Sequence, residues 1–177
     1  MSFQRALVLG GSRSGKSFLA ERLVTGLQAP WTYLASAQAY DIEMSDRIST
    51  HKARRGADWR TIEEPKKISE TLGTLPSDAR VLFDCASLWL TNHLLGESDL
   101  GAETDRLLTS LSSFGGTLVT VSNEVGSGIV PENALARRFS DAQGLLNQRL
   151  AADADLVVLV VAGLPLVLKG ALPEYMT

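Results

Sequence analysis

A single cysteine, Cys85, leaves no intrachain disulfide to be made. That count fits a reducing compartment, so a cytoplasmic location is expected. Basic excess is also missing. Seventeen Lys and Arg stand against twenty Asp and Glu, a net charge of −3, which speaks against nucleic acid or an anionic membrane as the main partner. There is no long hydrophobic run. The longest, Leu156 to Leu168, is thirteen residues and contains Gly163 and Pro165, where a membrane span needs about 20. The opening residues Met1-Ser2-Phe3-Gln4-Arg5 lack a basic stretch followed by an apolar one, so no targeting segment and no membrane insertion are expected. Repeats, low-complexity tracts and long linkers are absent too. What remains is ordinary globular composition, 45% hydrophobic and 21% charged over 177 residues, which suits one domain spanning 1–177.

Strand and helix signals alternate along the chain. Ala6 to Leu9, Thr32 to Ser36, Val81 to Asp84, Thr117 to Val121 and Leu156 to Val161 are short apolar runs that read as five strands. Between them, Lys16 to Leu27 carries Leu19, Leu23 and Leu27 at spacing four, a helical stripe. Further helices are predicted over Asp41 to Arg55, over Pro65 to Leu72 with Pro65 at the first position, over Leu88 to Leu95, over Glu103 to Leu111 and over Pro131 to Ala152. Trp59 to Pro65 and Asn123 to Gly128 read as polar loops. The order implies an α/β fold, a mostly parallel sheet with helices on both faces.

The first run ends in Gly10-Gly11-Ser12-Arg13-Ser14-Gly15-Lys16-Ser17, which matches G-x-x-x-x-G-K-[ST] between a strand and a helix. The glycines let backbone N–H groups turn inward around phosphate, and the helix N-terminus adds partial positive charge. Lys16 then reaches the terminal phosphates and Ser17 offers its hydroxyl to Mg²⁺. Asp84 ends an apolar strand, where such enzymes keep an acid for Mg²⁺; capping of the next helix is the alternative. Arg47 and Arg55 lie four residues either side of His51. Cations there would disfavour protonation of the imidazole and attract phosphate, giving a nucleophile for an α-phosphorus. Met44, Ile48 and His51 also fall at helical spacing, so the pattern alone favours a histidine at the edge of the core over a nucleophile. His93, among apolar neighbours, reads as structural. Glu63 and Glu64 stand ready to meet a base, a ribose or Mg²⁺, or else simply open a helix.

Taken with Tyr33-Leu34-Ala35-Ser36-Ala37, Asp41-Ile42-Glu43-Met44, Arg47-Ile48 leading to His51, Trp59-Arg60-Thr61-Ile62-Glu63-Glu64-Pro65, Asp84-Cys85, and Ser122-Asn123-Glu124-Val125-Gly126, the phosphate loop gives the chain a family likeness. It resembles the bifunctional adenosylcobinamide kinases / adenosylcobinamide-phosphate guanylyltransferases over almost its whole length. The resemblance implies a P-loop NTPase-like fold and two reactions. ATP or GTP phosphorylates adenosylcobinamide. GTP then gives GMP to the product phosphate through a covalent GMP–histidine, which matches His51 here.

The resemblance also implies Lys16 as catalytic. Nucleotide contacts fall at Gly10 to Ser17, at Ser36, Ala37 and Gln38, at His51, Lys52, Ala53 and Arg54, and at Glu63 and Asp84. Mg²⁺ falls to Ser17 and Asp84, and the assembly is a homotrimer. Some members carry a second histidine before the nucleophile, where this chain has Thr50. Two other functions fit the phosphate loop alone: a small-molecule kinase without nucleotidyl transfer, and a GTP-binding switch.

Overall fold

The computed structural model describes residues 3–38 and 55–176. The helix expected over Asp41 to Arg55 falls, apart from Arg55, outside the described residues. The strands are β1 (Arg5–Gly10), β2 (Trp31–Ala35), β3 (Trp59–Glu63), β4 (Arg80–Asp84), β5 (Thr117–Asn123), β6 (Leu156–Val161) and β7 (Leu164–Lys169). The helices are α1 (Lys16–Thr25), α2 (Ile68–Gly73), α3 (Ala86–Leu95), α4 (Leu100–Ser113) and α5 (Ala134–Asp153). A short 3₁₀ turn, Glu174–Met176, closes the described chain.

All seven strands form one sheet in the order β3-β2-β4-β5-β1-β6-β7, parallel except for β7. Alternation along the strands feeds two apolar layers. Leu7 and Leu9 of β1 face Trp89, Leu90, Leu107, Leu111, Leu146 and Leu150 from three helices. Ala6 and Val8 face Leu19, Leu23 and Val24 of α1. Helices therefore cover both faces, as the strand-helix order predicts. On the α1 face the C-terminal segment helps: Leu172 and Met176 pack there, and the Tyr175 hydroxyl donates to Leu23 O at 2.9 Å.

Among the described residues seven strands stand where the runs suggested five. Trp59 to Glu63, read as a loop, is the edge strand β3, paired with β2 from Trp31↔Trp59 to Ala35↔Glu63. An edge strand exposes most of its side chains, so its sequence stays polar. The thirteen-residue apolar run holds both β6 and β7, joined through Ala162 and Gly163 at φ 51° and 81°. Positive φ at both central residues is the twist a tight hairpin needs. Pro65 does not open α2. The helix begins at Ile68, because Glu64 Oε1 accepts from Lys66 N and Lys67 N at 3.0 and 2.9 Å and holds 64–67 as a turn. The Trp89 indole donates to Lys66 O at 2.9 Å and tethers that turn to α3. His93 lies buried against the Trp89 ring, as its apolar neighbours predict.

Candidate nucleotide site

Parallel strands bring their C-terminal ends to one edge, and there the sheet order juxtaposes residues far apart in sequence. Along the edge Glu63 pairs with Ala35, Ala35 with Asp84, Asp84 with Val121, and Gly10 with Asn123. Strand β5 thus separates the phosphate-loop strand from the strand of Asp84. Two strand spacings set those ends about 10 Å apart, room for a triphosphate tail and a metal ion.

The loop from Gly10 to Gly15 turns back tightly. Gly15 sits at φ 96° and opens α1, a conformation that favours glycine. A Cβ on Gly10 would strike Val160 O at 2.8 Å, so the close strand contact admits only glycine. Ser14 O accepts from Gly163 N at 2.8 Å, so the β6–β7 turn braces the loop. Ser14 Oγ is buried with no hydrogen-bond partner among the described residues. Lys16 is buried, and its Nζ donates to Gly11 O at 3.1 Å. Ser17 follows it, half-buried in the first turn of α1.

Asp84 does not cap α3. That cap is Cys85, whose Sγ accepts from Leu88 N at 3.4 Å. Burial, and then the charge of Asp84, push the Cys85 thiol up to about 12, so it stays protonated and inert. The Asp84 carboxylate is left at the sheet edge, half-buried, with Oδ2 accepting from the Tyr33 hydroxyl at 2.9 Å. Burial first, and the nearby carboxylate second, hold the Tyr33 phenol protonated far above its ordinary range. The Arg55 guanidinium lies over the Tyr33 ring, 3.5 Å from its centre. Arg55 Nε and Nη1 are buried without a hydrogen-bond partner among the described residues.

The residues present suit Mg²⁺. Asp84 and Ser17 offer hard oxygen donors, and among the described residues no cluster of three or more His, Cys, Asp and Glu forms a protein cage. Mg²⁺ needs no such cage where it takes the rest of its shell from phosphates and water.

The other expected contacts divide. Ser36 is fully buried; its hydroxyl donates to Cys85 O at 2.7 Å and accepts from Cys85 N at 2.9 Å. Ala37 and Gln38 follow it, half-buried, beyond the end of β2. Glu63 is exposed at the end of β3 on the same edge. His51, Lys52, Ala53 and Arg54 lie outside the described residues. Two features escaped the sequence reading. One is the Tyr33 hydroxyl on Asp84. The other is a buried amide cluster beneath the 122–124 corner. Gln143 Nε2 donates to Ser122 Oγ and Asn147 Oδ1, each at 2.9 Å, and Asn147 Nδ2 donates to Asn123 O at 3.0 Å. Gln and Asn four apart on the apolar stripe of α5 were the signal available.

Comparison with known proteins agrees with this geometry. A family model described as cobinamide kinase / cobinamide phosphate guanyltransferase matches residues 6–168. The chain is 47% identical over 169 residues to a Pseudomonas aeruginosa protein named bifunctional adenosylcobalamin biosynthesis protein CobP, covering 94% of this chain and 98% of that one. It is 42% identical over 180 residues to the Salmonella typhimurium bifunctional adenosylcobalamin biosynthesis protein CobU, covering 92% and 98%. Among solved structures, a prototypical ATPase from the type III secretion system of pathogenic bacteria superposes with a TM-score of 0.55 at 11% identity, over 98% of this chain and 60% of that one. That likeness is one of fold, a P-loop NTPase-like one.

Proposed function

The chain belongs to the cobinamide kinase / cobinamide phosphate guanyltransferase family, and from that premise we propose that a single nucleotide site on this sheet edge serves both transfers. The enzyme is a transferase of adenosylcobalamin biosynthesis with both activities of the family.

In the first transfer, the hydroxyl of adenosylcobinamide attacks the γ-phosphorus of ATP or GTP and the nucleoside diphosphate leaves. The phosphate loop 10–17 cradles the triphosphate through its N–H groups, and Lys16 leaves Gly11 O to follow the charge on the β- and γ-oxygens. Ser17 and Asp84 would hold Mg²⁺, which would neutralise phosphate charge there.

In the second transfer, a His51 nitrogen attacks the α-phosphorus of GTP, and pyrophosphate leaves into the same loop. An oxygen of adenosylcobinamide phosphate then attacks the phosphorus of the GMP–histidine. The imidazole departs, and adenosyl-GDP-cobinamide is the product. Ser36, Ala37, Gln38, Lys52, Ala53, Arg54 and Glu63 are the further nucleotide contacts. The observation that carries this reading is the edge itself: the loop 10–17 and Asp84 share it, and Arg55, four residues after His51 in sequence, rests on Tyr33 beside Asp84. GTP labelled at the α- or the γ-phosphorus separates the alternatives. Both labels should reach cobinamide, and only the α-label should be trapped on protein. A plain kinase would move the γ-label alone, and a GTP-binding switch neither.

A homotrimer is part of the same proposal. Strand β7 is exposed on both faces, with Leu164, Leu166 and Leu168 at 72, 56 and 55%, an apolar edge that calls for a cover. Sedimentation equilibrium should return three times 19.0 kDa; a monomer at micromolar concentration would refute it. No described helix is long and apolar enough to cross a membrane, and nucleoside triphosphate substrates suit a cytoplasmic enzyme.

A further inference from the structure

We infer that Tyr33 is a positioning residue that aims Asp84 at the metal ion, an inference that rests on the assignment of Asp84 to the Mg²⁺ site above. Strand register creates the contact. Ala35 pairs with Asp84 and Tyr33 with Leu82, so Tyr33 emerges two residues before the edge, on the same face as Asp84. The length of the phenol ring bridges that step and brings its hydroxyl to Oδ2 at 2.9 Å.

The ring has little freedom. It is 6% exposed, the edge of Trp59 meets it with ring centres 6.2 Å apart, and Arg55 covers its face. A strand-end aspartate can turn about both of its side-chain bonds. A fixed donor on Oδ2 sets the carboxylate plane and leaves Oδ1, which accepts no hydrogen bond among the described residues, to the metal. Mg²⁺ demands near-ideal octahedral geometry, and groups that orient its ligands change metal affinity by about 10–100-fold. Loss of the hydroxyl should therefore raise the metal requirement while leaving the chemical step intact. The ring also joins two parts of the site. Its hydroxyl holds the acid, and its face holds the last residue of the basic stretch Arg47 to Arg55 that contains His51.

Tyr33→Phe deletes only the hydroxyl and keeps the ring against Trp59 and Arg55. The test compares wild type, Tyr33→Phe and Asp84→Asn. It reads the Mg²⁺ concentration for half-maximal kinase turnover at saturating nucleotide. It also reads, by electron paramagnetic resonance, Mn²⁺ binding to the complex with a non-hydrolysable GTP analogue. Tyr33→Phe should need about 10-fold more Mg²⁺ and bind Mn²⁺ correspondingly more weakly, with kcat at saturating Mg²⁺ within about 2-fold of wild type. Asp84→Asn should shift further and also lose kcat. A shifted Asp84→Asn beside an unshifted Tyr33→Phe overturns the positioning role alone, as does a Tyr33→Phe that loses kcat at unchanged metal affinity. An unshifted Asp84→Asn removes Asp84 from the metal site and the inference with it.

Discussion

Ser36 and Cys85 clasp each other: one hydroxyl gives a hydrogen bond to the Cys85 carbonyl and takes one from the Cys85 amide, at 2.7 and 2.9 Å, with the serine fully buried. The clasp ties the end of β2 to the corner that carries Asp84. Ser36→Ala would leave the buried Cys85 N–H unpaired, while the Cys85 carbonyl keeps its bond from Trp89 N, at a cost of about 1–3 kcal/mol. Denaturant unfolding should show that loss, and kinase turnover should fall with it because the corner shifts. Unchanged stability would mean that water replaces the hydroxyl.

Lys16→Ala removes the cation of the phosphate loop that follows the terminal phosphates. Loss of a donor aimed at developing charge costs about 10²–10³-fold in turnover, so both transfers should fall by at least that factor and GTP affinity should drop. Isothermal titration and steady-state assays of both reactions check it, and normal values in all three would exclude the loop from catalysis.

His51→Ala should abolish guanylyl transfer and covalent labelling by α-labelled GTP, while GTP binding survives. The nucleophile is the unprotonated imidazole, so labelling of wild type should fall as the pH drops and the imidazole takes up a proton. A phosphorus–nitrogen bond to imidazole is lost in acid and persists in alkali. Denatured samples split between acid and base should show that pattern; acid-stable label, or label on the alanine variant, would place the nucleophile elsewhere.

Ala162 holds a left-handed φ of 51° in the β6–β7 turn. That conformation costs a residue with a Cβ about 1–2 kcal/mol, so Ala162→Gly should stabilise the protein by up to about that amount, less the entropy glycine loses on folding. Thermal unfolding reads the result, and a lower midpoint would show that the turn relies on the alanine methyl.

Ala162 also explains where the sequence was silent. Tight hairpins announce themselves by Asn-Gly, Asp-Gly or Gly-Gly, and Ala162-Gly163 inside an unbroken apolar run gives no such notice. Pro165 argues against a strand, yet β7 is an outer strand, the one place where proline is tolerated. Strand β3 was hidden by its own exposure, since Arg60, Thr61 and Glu63 look like loop residues until Trp31 and Tyr33 are seen beside them. The phosphate loop and Asp84 were legible because glycine spacing and an acid at a strand end are local signals. The Tyr33–Asp84 bond spans 51 positions and exists only once β2 and β4 are neighbours, so no local pattern could have shown it.

The N–H of Gly163 on the Ser14 carbonyl has a mechanical meaning. It makes the outer hairpin a lever whose short end is the phosphate loop. A displacement of β7 should therefore reach the Ser14 carbonyl through one turn and one hydrogen bond. Stiffness at the rim of the sheet thus becomes stiffness of the cradle, and a protein engineer who loosens the rim should expect the grip on the triphosphate to slacken.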